Sequence, residues 1–142
     1  MGKLLISMSL LLSFSTCFAE SFPSPSAAKE FADKVMAKVA KGDVEGGLKM
    51  MKPYSVVPSA EFDAAVGQIK LQLPAISERF GKSIGSEYIL EEKMGESLFL
   101  LLYINKFERH AMRWRFYFYR GSEGWVIDTF YFDDRTQELF CH

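Results

Sequence analysis

The sequence predicts an α+β fold, with N-terminal helices packed on one face of a four-stranded antiparallel meander. Three observations carry this. From Ala27 to Phe80 the apolar residues recur at helical spacing. After Gly85 they alternate, as in strands with one buried face. Short glycine-bearing segments interrupt the alternating runs and have the length that joins neighbouring strands.

The first helix is predicted over residues 27–40. Ala28, Phe31, Ala32, Val35 and Val39 share one of its faces. Lys29 with Asp33 and Glu30 with Lys34 form pairs four apart on the other. Ser24 before Pro25, or Ser26 alone, supplies the start, and Gly42 the end. Asp43 caps a second, short helix through Met51 that Pro53 stops, weakened by Gly46 and Gly47. The third helix has the clearest period: Phe62, Val66, Ile69, Leu73, Ile76 and Phe80 form one stripe between Ser59 and Gly81. Pro74 lies inside it, and a kink or restart is expected there.

Four strands follow, at about 86–93, 97–107, 111–120 and 125–133. Gly121-Ser122-Glu123-Gly124 is the strongest hairpin signal. In the third strand Met112, Trp114, Phe116 and Phe118 share one face, and Arg113, Arg115, Tyr117 and Tyr119 the other. Plain alternation in the fourth sets Trp125, Ile127, Thr129 and Tyr131 against Val126, Asp128, Phe130 and Phe132. Residues 135–142 form a tail that can pack through Leu139 and Phe140.

Residues 1–19 have the pattern of a cleaved secretory signal. Lys3 precedes an apolar core from Leu4 to Phe14, and Cys17-Phe18-Ala19 places small residues at the cleavage positions. The core is too short to be a membrane span, which needs about 20 residues. Cys17 as a lipid-attachment site is the competing reading. Phe14 and Thr16 stand where that signal prefers small residues. The expected product begins near Glu20 and is periplasmic or secreted. A flexible spacer at 20–26 then leads into one domain over 27–134.

The composition bounds the function. With 17 basic and 18 acidic residues, the net charge of −1 offers no basic excess for nucleic acid or anionic lipid. Cleavage leaves Cys141 as the sole cysteine, so no internal disulfide forms. His110 falls at a turn, where a solvated histidine is the ordinary case, and His142 is terminal. Neither these nor the methionines have metal-site spacing, so no metal and no cofactor is expected.

The order of elements resembles the nuclear transport factor 2-like, or cystatin-like, superfamily. The resemblance rests on A-A-K-E-F-A-D-K-V-M-A-K-V-A-K-G-D at 27–43 and R-W-R-F-Y-F-Y-R-G-S-E-G-W-V-I-D at 113–128. It implies a strongly curved sheet wrapped by helices into a cone, a concave pocket, and frequent homodimers through the outer sheet face. Some relatives, such as ketosteroid isomerase and the polyketide cyclases, are enzymes with an acid/base group in that pocket. Many others are not catalytic.

Two sets of candidate residues follow. Phe62, Val66, Ile69 and Leu73 form the wall of a ligand pocket, Trp114, Phe116 and Phe118 its floor, and Asp128 its one carboxylate. Asp128 pairs with Arg113 or Arg115 in the structural reading. In the functional one it is a pocket acid with a raised pKa. Arg113, Arg115, Tyr117 and Tyr119 form a second set, suited to an interface because tyrosine and arginine join large contact area to a polar end. The expected function is non-enzymatic binding: to itself, to another envelope protein, or to a small apolar ligand. An isomerase- or cyclase-like enzyme using Asp128 is the alternative.

Overall fold

The computed structural model describes residues 18–141. The signal core, Cys17 and His142 lie outside the described residues. Three helices, α1 (Pro25–Ala40), α2 (Val44–Met51) and α3 (Ser59–Phe80), precede four strands. These are β1 (Ser83–Met94), β2 (Leu98–Phe107), β3 (Ala111–Gly121) and β4 (Gly124–Asp133). They form an open antiparallel sheet in the order β1-β2-β3-β4. A short 3-10 turn covers Thr136–Phe140.

The starts of α1 and α2 follow from capping chemistry. The Ser24 Oγ accepts from the Ala27 amide at 3.1 Å, with Pro25 in the first turn. The Asp43 carboxylate accepts from the Gly46 amide at 2.9 Å. The Lys29–Asp33 and Lys34–Glu30 pairs form at 3.0 and 3.3 Å. α3 runs through Pro74 as one element. The ring sits on the exposed side of the helix, so the carbonyl that loses its donor is on the solvent side.

Ala28, Ala32, Val35, Met36 and Val39 of α1 pack with Leu48 and Met51 of α2 against Leu101, Trp114, Phe116, Phe118 and Ile127 of the sheet. Polar bonds fix the helix on the strands. Tyr103 donates its hydroxyl to Asp33 at 2.7 Å. Asn105 donates to the Ser83 hydroxyl at 2.7 Å, which donates in turn to the Ala40 carbonyl at 2.9 Å.

Two expectations need correction. Residues 20–26 are not a free spacer. The Phe22 main chain exchanges two hydrogen bonds with Trp125, of 2.7 and 2.9 Å, and its ring is 5% exposed. Gly124 makes this approach possible. Its φ is +130°, and a Cβ there would lie 2.8 Å from the Phe22 carbonyl oxygen. The second correction is in β4. Tyr117 pairs with Thr129 and Phe118 with Ile127, which leaves Asp128 as an extra residue in a bulge. The bulge reverses the alternation beyond it. Trp125, Ile127, Phe130 and Phe132 therefore face the helices, and Thr129 and Tyr131 face away.

Candidate functional site

Two surfaces and one ionic cluster concentrate the chemistry. The first surface is a groove between α3 and β4. α3 is buried only near its ends, at Phe62, Val66 and Phe80. Ile69, Leu73 and Ile76 between them are half-buried. Below this stretch is an opening of about 340 Å³ bordered by Phe62, Ile69 and Gln72 of the helix, Thr129 to Phe132 of β4, and Ser55 and Val57 of the intervening loop. Past Gln72 and Phe132 lies a second hollow of about 460 Å³, bordered by Ile76, Arg79, Met112 and Asp133. Leu73 opens on the other side of α3, toward Val39 and Phe107.

The expected wall and floor separate here. Phe62 and Ile69 border the groove, whereas Trp114, Phe116 and Phe118 are fully buried in the filled core beneath α1. The groove floor is Phe130 and Phe132, the latter stacked on Trp114 at 4.5 Å between ring centres. The bulge supplies these two phenylalanines, which simple alternation puts on the wrong face.

The second surface is the sheet face turned away from the helices. Cross-strand rows place Met94, Leu98, Tyr119 and Val126 side by side, then Glu92, Leu100, Tyr117 and Thr129, then Leu90, Leu102, Arg115 and Tyr131. Met94 is 65% exposed, Tyr131 56% and Tyr119 45%. A depression of about 360 Å³ on this face has Met94, Leu98, Leu100 and Tyr117 around it and carboxylates at its rim, Glu92 and Asp128. Asp128 is exposed and lies across the sheet from the α3 groove.

The ionic cluster closes one end of the same face. Arg113 is only 4% exposed. Its Nε and Nη2 donate to the two Asp133 oxygens at 2.6 and 3.0 Å, and Nη2 also donates to Glu138 of the C-terminal turn. Arg115 reaches Asp133 at 3.1 Å, while its buried Nε has no acceptor among the described residues. The partner of the arginines is therefore Asp133, not Asp128. Asp133 lies directly opposite Arg113 in the register. Burial works against its charge, but hydrogen bonds from Arg113 and the Arg135 amide, with the field of Arg113 and Arg115, hold its carboxyl below the usual range. The Asp133 hydrogen bond in turn raises Arg113. Of the four stripe residues, Arg113 is thus taken up by the fold, and Arg115 and Tyr117 are half-buried.

His110 is held rather than free. Its Nε2 lies 3.1 Å from the Asp134 carbonyl and its ring packs on Phe80 at 4.7 Å. Cys141 is exposed and has no disulfide partner among the described residues. Among the described residues no cluster of His, Cys, Asp and Glu has the geometry of a metal site, and no helix is long and apolar enough to cross a membrane.

No family model matches the chain, and no curated protein matches it. A solved structure, of a DUF4783 family protein from Bacteroides uniformis, is similar over 71% of this chain and 94% of that one, with 14% identity and a TM-score of 0.44. A likeness at that level carries nothing about activity.

Proposed function

We propose that this chain is an exported, non-enzymatic binding domain of the nuclear transport factor 2-like type that self-associates through the outer face of its sheet. The observation that carries the reading is the apolar character of that face. Met94, Leu98 and Tyr119 are exposed side by side on it, with Tyr131 exposed two rows away, and exposed apolar side chains grouped in this way mark interaction surfaces. Its size suits a dimer. A face four strands wide and ten residues long projects roughly 600 Å² at ordinary strand spacings. Standard interfaces bury about 800 Å² per partner. Its charges suit a second copy as well. Glu92 and Asp128 form no ion pair among the described residues, and the Arg115 side chain on the same face is 23% exposed. A two-fold contact can set the arginine of each copy against a carboxylate of the other.

The test uses exposed positions, because Arg115 also serves the fold. Met94→Lys with Leu98→Lys should leave the circular-dichroism spectrum unchanged and convert the dimer seen by native mass spectrometry to monomer. A dimer that survives this pair refutes the interface. Export is tested by the intact mass of protein recovered outside the cytoplasm, which should begin at Glu20.

A second reading concerns the α3 groove. What supports it is the half-exposed Ile69, beside Phe62, above Phe130 and Phe132, a lining suited to an apolar ligand. The enzyme alternative has less support, because Asp128 and this groove lie on opposite sides of the sheet.

A further inference from the structure

The α3 groove has a main-chain wall as well as an apolar floor. It is bordered by Thr129, Phe130, Tyr131 and Phe132 of β4, the strand at one edge of the sheet. An edge strand turns alternate N–H and C=O groups outward, ready for another strand.

The protein already uses this edge twice. Phe22 pairs with Trp125 in antiparallel fashion, and Ser55 forms a parallel bridge with Ile127, to whose oxygen the Val56 amide donates at 3.2 Å. Beyond Ile127 no segment among the described residues pairs with the edge. Residues 129–132 also lack the usual protection of an edge. They contain no proline and no charge, whereas the opposite edge strand, β1, carries Glu87, Glu91, Glu92 and Lys93.

We infer that the slot between α3 and β4 takes an extended peptide of another protein, which adds as a fifth strand along Thr129–Phe132 and sets alternate apolar side chains against Phe62, Ile69 and Phe130. This rests on the groove being a binding site and narrows its ligand to a polypeptide. The edge decides between occupants. A small apolar molecule covers the floor and leaves the outward main-chain groups unmet; an added strand satisfies both. Phe22 is the internal precedent. It gives the same edge two main-chain hydrogen bonds and buries its ring, stacked on Tyr54 at 4.2 Å.

The experiment is fluorescence polarisation with a labelled, capped seven-residue peptide that alternates phenylalanine or valine with serine. Two N-methylated versions, one for each set of alternate amides, are run beside it. Only one edge of the peptide faces β4, so one methylated version should lose at least tenfold in affinity and the other should bind like the parent. The amides of Thr129–Phe132 should exchange more slowly with peptide bound. Gln72→Trp, at an exposed site between the two hollows, should weaken binding at least tenfold and leave the melting temperature unchanged. Equal binding of all three peptides, or binding of the apolar dye anilinonaphthalene sulfonate alone, overturns strand addition and leaves the groove as a small-ligand site. Binding of neither peptide nor dye overturns both. Protection of residues 129–132 that rises with protein concentration in the absence of peptide assigns the edge to a second copy and also overturns the proposal.

Discussion

Arg113 is the only buried charged side chain among the described residues, and its environment makes it a structural group. Two carboxylates, Asp133 and Glu138, meet its guanidinium. Removing it leaves Asp133 partly buried without its main partner, so Arg113→Ala should lower stability to denaturant by about 3–4 kcal/mol. Arg113→Met fills the space, but it still strands the acids. It should fall between the wild type and Arg113→Ala. The acid limb of stability follows from the depressed Asp133 carboxyl. A carboxylate with a lowered folded pKa contributes fully above its unfolded value and loses that contribution as pH falls through the folded one. The unfolding midpoint should therefore hold from neutrality to about pH 4 and drop below it. Asp133→Asn should be less stable at neutrality, with a shallower acid drop. If that variant shows the same acid drop as the wild type, the cluster is not its source. The sequence pointed to an arginine–aspartate pair but assigned Asp128. Nothing in the local pattern Val126–Phe132 reveals that one residue is extra, because a bulge is set by how β4 meets β3.

At the level of elements, the N-terminal strap is held to β4 by an isolated antiparallel bridge at Phe22 rather than being a free tether. Phe22 fills a pocket made by Phe31, Tyr54 and Phe118, so Phe22→Ala should cost about 3 kcal/mol in equilibrium unfolding. Gly124→Ala should act in the same direction, since its methyl meets the Phe22 carbonyl. A melting temperature unchanged in both variants would show that the strap does not hold the fold. The helices and strands were legible because each keeps its period over at least two turns or five residues. The strap was not. Its serines and prolines have the composition of a linker, and its one informative residue, Phe22, pairs with Trp125, about 100 residues away. The depth of the α3 groove was equally hidden. The stripe from Phe62 to Phe80 shows which side of the helix faces inward, but how far its middle stands off the sheet depends on the packing of its two ends.

For the whole molecule, the division of the sheet into a helix-covered face and an open one was visible in β3 alone. There Trp114, Phe116 and Phe118 alternate with Arg115, Tyr117 and Tyr119, and the register leaves the first set under α1. The outer face is more apolar than that stripe suggested, because β2 and β1 add Leu98, Leu100 and Met94 to it. Sedimentation equilibrium over a wide range of concentration tests the proposed self-association most directly. The account predicts a mass that rises to twice that of the chain and falls back to one when Met94→Lys and Leu98→Lys are introduced together. A single-chain mass at every concentration, identical in wild type and variant, would contradict it.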